Sequence, residues 1–230
     1  MQTVSEDTTF GTSLGLAFLG GYADAASFLT AQTFTGHLTG NCVLAAVSFG
    51  TQEWPLGLDR VLAVLAFLAG ISSSLTLRRL LPLYLKGNSL LLAMWVELVL
   101  VGAAFLFIWN HANNEFFILC MCLALGIQND ALRKTSQVGI HSTYLTGMVT
   151  TLMQKGYCHL FPDHRIESKP STVSTSTTIQ VIGPMWLSFI LGALGGAVAV
   201  ARFHTIGLLG IALLLSLLIC AETKTTWTRK

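Results

Sequence analysis

The sequence predicts an all-α integral membrane protein with six transmembrane helices and two short re-entrant helices, arranged as an inverted internal repeat. Three observations carry this prediction. Of 230 residues, 53% are hydrophobic and only 10% charged, where soluble domains carry about 25% charged residues; the mean hydropathy is +0.66. Six stretches are long and apolar enough to cross a bilayer. The two halves of the chain also repeat the same motifs in the same order.

The first eleven residues, MQTVSEDTTFG, hold Glu6 and Asp7 and no Lys or Arg. With no basic segment and no small-residue cleavage site, the first apolar stretch is expected to stay as a membrane helix. A spanning helix takes about 20 mostly apolar residues, which selects residues 12–30, 58–77, 89–109, 116–132, 183–201 and 205–221. Two shorter apolar stretches, 41–50 and 148–154, each follow a Leu-Thr-Gly step. The expected organisation is one membrane domain over residues 1–230. Its halves are 12–109 and 116–221, joined by a short external connection at 110–115. The second half contains a Ser/Thr-rich cytosolic loop at 155–180.

Charge decides whether the short stretches cross, because Lys and Arg collect on the cytosolic side. With six crossings, all of the 13 basic residues except Arg60 and Arg202 share one side with both termini. With eight crossings the split is seven against six. Six crossings are therefore expected, with N- and C-termini cytosolic and the protein in the cell (plasma or inner) membrane.

The repeat is read from aligned motifs. GYADAASF (Gly21 to Phe28) aligns with GIQNDALR (Gly126 to Arg133), setting Asp24 against Asn129. HLTGN (His37 to Asn41) aligns with YLTGM (Tyr144 to Met148), and FLAG (Phe67 to Gly70) with FILG (Phe189 to Gly192). Three crossings per half is an odd number, so the second half enters the membrane upside down. Inverted repeats of this kind are common in secondary transporters.

Polar residues inside the apolar stretches are the candidates for chemistry. Asp24 lies about 18 Å along the first helix at 1.5 Å per residue, well inside a core about 30 Å thick. Asn129 lies at a matching depth in the fourth helix, and Glu97 is a second deep acid. A charged side chain at mid-membrane costs roughly 2.5–3.5 kcal/mol, so it is normally paired, protonated or beside water. Asp24 reads as a cation- or proton-binding group, against the alternative of polar glue between helices. Gln128, Asn129 and Asp130 form a polar triplet, and Arg133 stands one turn from Asp130, within reach of a local ion pair.

The Thr39-Gly40 and Thr146-Gly147 steps read as helix breaks, with glycine turning the backbone and Thr or Asn41 capping the short helix that follows. Its N-terminus would then face the membrane interior. Such breaks in corresponding positions of two halves point to a binding site, the alternative being tight interfacial loops. Gly192 and Gly196 form a close-packing step. Most tryptophans read as interfacial anchors, with Trp95 and Trp186 as candidates for the core. Five scattered cysteines are no disulfide framework. Cys158, His159 and His164 read as incidental loop residues rather than a metal site. No hydrolase, metalloprotease, P-loop or dinucleotide motif stands in a suitable context, and no basic aromatic patch suits nucleic acid.

Gly21-x-x-Asp24-Ala25-x-Ser27-Phe28 with Leu38-Thr39-Gly40-Asn41 resembles the first signature of the YoaK-like family of small membrane proteins. Gly126-x-Gln128-Asn129-x-Ala131-Leu132-Arg133 with Thr143 to Gly147 resembles the second. The resemblance runs from about Gly15 to Ala221. It implies a multi-helix membrane protein and names no substrate.

The expectation is therefore a small secondary transporter, not an enzyme, with no cofactor or metal. Its site would lie between the halves and be lined by Asp24, Thr39, Gly40, Asn41, Glu97, Gln128, Asn129, Thr146 and Gly147. Its partners would be the bilayer and a small solute or ion, with a homo-oligomer open to a six-helix unit. The alternative is a non-transporting scaffold, sensor or partner subunit.

Overall fold

A computed structural model describes residues 9–80, 89–110, 114–131, 134–135, 138–139, 145–160 and 175–228. They form eight α-helices: α1 Phe10–Ala31, α2 Leu38–Gly50, α3 Trp54–Leu80, α4 Ser89–Trp109, α5 Asn114–Ala131, α6 Leu145–Leu160, α7 Thr175–Phe203 and α8 Leu209–Thr228. Beyond helix there is only a two-residue antiparallel ladder among the described residues, Lys134 to Gly139 and Thr135 to Val138.

Among the described residues, four stretches meet both length and hydropathy for crossing a bilayer: Phe10–Ala31, Trp54–Leu80, Ser89–Trp109 and Ile179–Lys224. The last would be about 69 Å long if straight, more than twice the membrane core. It is not straight. His204 adopts a left-handed backbone, φ 51°, and His204–Leu208 tighten into a 3-10 turn, which separates α7 from α8. Polar residues at both ends of α5, Asn114-Glu115 and Gln128-Asn129-Asp130, keep that helix out of the set. Large apolar side chains such as Leu65, Val99, Leu106, Leu194 and Leu217 are exposed on the outer faces. So much exposed apolar surface suits lipid as the solvent, and the chain is an integral membrane protein.

Glycine makes the two main helix crossings. α1 packs on α7, and α3 on α5. A Cβ on Gly21 would strike the Phe189 carbonyl, and one on Gly192 the Phe18 carbonyl. A Cβ on Gly126 would strike the Phe67 carbonyl, and one on Gly70 the Leu123 carbonyl. Gly196 meets the Tyr22 carbonyl in the same way, so the expected Gly192–Gly196 packing step is present. The four contacts come in matching pairs, since Gly21 aligns with Gly126, Phe189 with Phe67, and Gly192 with Gly70. The helix neighbours match as well. α2 packs on α3 as α6 does on α7, and α4 packs on α5 as α8 does on α1.

Four expectations need correction. Helices α2 and α6 begin at Leu38 and Leu145, so both Leu-Thr-Gly steps form the first turn of a helix and are not the breaks. The second short helix runs 16 residues, well past the expected 148–154, and α7 begins at Thr175 within the stretch read as loop. Trp95 and Trp186 are 49% and 40% exposed and face outward, because the inward face of α4 is taken by Met94, Glu97 and Val101 and that of α7 by Val181, Ile182 and Met185.

Candidate functional site

The first break lies between α1 and α2. Gln32 takes a left-handed backbone, φ 54°, and its N–H returns to the Phe28 carbonyl, ending α1 as an αL cap does. The chain then folds back along the helix it has just left. Thr35 N–H (2.9 Å), Gly36 N–H (2.6 Å) and Thr35 Oγ1 (3.2 Å) all donate to Oδ1 of Asp24. Asp24 is seven residues before the end of α1, so α2 starts about 10 Å short of that end. With 13 residues, α2 is about 20 Å long, less than the thickness of the hydrocarbon core.

Two more side chains hold this turn. Asn41 is 2% exposed. Its Oδ1 accepts from Phe34 N–H (3.0 Å) and its Nδ2 donates to the Phe34 carbonyl (2.7 Å). It grips the loop instead of capping α2, as expected from sequence, and His37 at the cap position makes no side-chain capping bond. Arg60 of α3, 5% exposed, donates to the Gln32 carbonyl (3.2 Å), the Leu44 carbonyl (2.8 Å) and Ser48 Oγ (2.5 Å). One arginine therefore ties the end of α1 to the C-terminal half of α2. Gly40 serves close approach rather than a turn: a Cβ there would come within 2.6 Å of the His37 ring and 3.3 Å of the Phe34 ring.

The turn and α7 enclose a groove of about 600 Å³, lined by Asp24, Phe28, Phe34, His37, Thr39 and Gly40, with Phe189 of α7 on the far wall. Phe28 and Phe34 stack at 4.6 Å between ring centroids, and Phe34 meets His37 at 5.5 Å. All the hydrogen bonds to Asp24 fall on Oδ1, and Oδ2 accepts none from the described residues. The groove therefore presents one carboxylate oxygen beside an aromatic wall and the first turn of a helix.

Residues 12–221 match the family described as "Protein of unknown function (DUF1275)". The chain belongs to that family. It is also 24% identical over 213 residues to "UPF0700 transmembrane protein YoaK" of Bacillus subtilis (strain 168), covering 91% of this chain and 92% of that relative. The YoaK-like resemblance read from the paired motifs is thus established along almost the whole length. No solved structure matches the chain.

In this DUF1275 chain the remaining expected site residues do not line the groove. Glu97 of α4 is 0% exposed, and neither carboxylate oxygen has a hydrogen-bond partner among the described residues. Gln128 is also fully buried. Its Nε2 donates to the Leu16 carbonyl at 3.5 Å, and its Oε1 has no partner among the described residues. Asn129 is half-buried on the next position of α5. Gly147 sits in the first turn of α6, where its carbonyl accepts from Thr151 Oγ1 (2.9 Å); the side chain of Thr146 lies outside the described residues. Asp130 ion-pairs with Arg78 of α3, while Arg133, its expected partner, is outside the described residues. So are the side chains of Cys158, His159 and His164. The sequence reading missed His37, the aromatic pair Phe28 and Phe34, and Arg60. Arg60 did leave a signal, as one of two basic residues on the wrong side of the charge count.

Proposed function

We propose that this protein is a small secondary transporter with six crossings and two re-entrant helices, its halves related as an inverted repeat. The observation that carries the reading is Asp24, a buried carboxylate on a membrane helix that both binds the backbone of a helix break and lines a groove. Polar residues at membrane depth are costly and are usually retained for ion or substrate paths. Irregular backbone there is tolerated only when buried in protein or lining a cavity. The fold-back of α2 onto α1 supports re-entry, and the matched glycine contacts support the repeat. The charge distribution favours cytosolic termini in a cell (plasma or inner) membrane. In this reading Oδ1 of Asp24 holds the loop, while Oδ2 serves the solute or coupling ion.

The test is flux in reconstituted liposomes, read as electrogenic or pH-coupled uptake. Asp24→Asn keeps an acceptor oxygen for Thr35 and Gly36, so folding and insertion should survive while coupled flux is lost. Full flux in a folded Asp24→Asn protein would make Asp24 structural. A second reading, a non-transporting scaffold, sensor or partner subunit, draws on the same three hydrogen bonds, since a carboxylate that holds a loop has a structural role already. The two readings part on whether water reaches the groove.

A further inference from the structure

Resting on the transporter reading, we propose that the Asp24 groove takes a lipophilic organic cation. Charge sets the sign. Among the described residues, the lining contains the Asp24 carboxylate and no Lys or Arg. The N-terminus of α2 adds only about half a positive charge, too little to offset a full negative one. Oδ1 is occupied by three donors from the loop, and Oδ2 is left for the ligand.

The walls set the class. Asp24 and Thr39 are the lining residues with side-chain oxygens, too few for a bare metal cation that takes about six or more oxygen ligands. The remaining surface suits an apolar body instead. Phe28 and Phe34 are stacked, with Phe189 across from them, and aromatic faces attract a cation within about 6 Å of the ring. A volume of about 600 Å³ lies within the usual range for small organic ligands. Val43, on the rim, is 64% exposed. The groove is therefore open at its rim, where a ligand can enter. His37 also lines the groove.

The probe is tetraphenylphosphonium, measured by equilibrium dialysis against the purified full chain in a neutral detergent, with a micelle blank. Tetraphenylborate is the anionic control of the same shape. Saturable binding of the cation is expected, with little displacement by the borate. Asp24→Asn should weaken binding about tenfold or more, as loss of a desolvated charge partner does. Val43→Lys puts a positive charge on the exposed rim without touching the core, and it should weaken binding in the same direction. Equal binding of cation and anion, or binding that survives both substitutions, overturns the proposal. If the cation fails to bind while Asp24-dependent flux of another solute persists, only the ligand class is wrong. If it binds and no flux is found, the cation site stands and the transporter reading falls.

Discussion

At Glu97 both carboxylate oxygens are buried with no donor to meet them among the described residues. Burying a polar group without a partner costs about 1–3 kcal/mol by mutational measures, so the side chain is a net burden on the fold. Glu97→Leu should therefore raise stability by about 1–3 kcal/mol, read as a higher thermal midpoint in detergent. A lower midpoint would mean that Glu97 makes a contact important to the fold. Asp24 and Glu97 look alike in the sequence, each an acid deep in an apolar run. The difference between them comes from the loop that returns to Asp24, and no local pattern announces that return. Arg60 is obscure for the same reason: its partners are the carbonyls of Gln32 and Leu44 and the hydroxyl of Ser48, all distant in sequence.

Among the elements, the long helices are legible because a membrane imposes a length and a polarity on them. Every expected crossing coincides with an observed helix, shifted by only a few residues at most ends. The short helices are less legible. A glycine after threonine suggests a turn, yet Gly40 and Gly147 lie inside helices, and Gly40 is there because two rings lean on it. The first break sits earlier, at residues 32–37, where Gln32 takes the left-handed backbone. The helix crossings give a sharper prediction. Gly21→Ala and Gly126→Ala should each cost about 2–3 kcal/mol or more, because the new methyl meets backbone that cannot give way. Gly102, with nothing within 4 Å of its Cβ position, should gain up to about 1 kcal/mol on substitution by alanine. Thermal unfolding of the three variants checks the contrast. Equal effects at all three positions would deny that glycine sets the crossings.

For the whole molecule, topology is the first quantity to measure. Single cysteines at Gln52 and Asn110, in an otherwise cysteine-free chain, should react with an impermeant thiol reagent from outside the cell if six helices cross. Reaction from the cytosolic side alone would require eight. The positions of the basic residues along the chain are what favour six crossings, since only Arg60 and Arg202 oppose that count, and Arg60 is buried within the fold. The motifs matched in the sequence include the glycines that meet backbone carbonyls across the two helix crossings. What the groove holds is not legible, because its lining combines residues from α1, α2 and α7 that no motif links. The most direct test of transport through this groove is access to Ala25, which lines it, compared with Ala23, which is fully buried on the same helix. Ala25→Cys should be modified by impermeant thiol reagents applied from either side of the membrane, and Ala23→Cys from neither. If Ala25→Cys resists from both sides in a folded protein, no aqueous path reaches Asp24 and the chain is not a transporter.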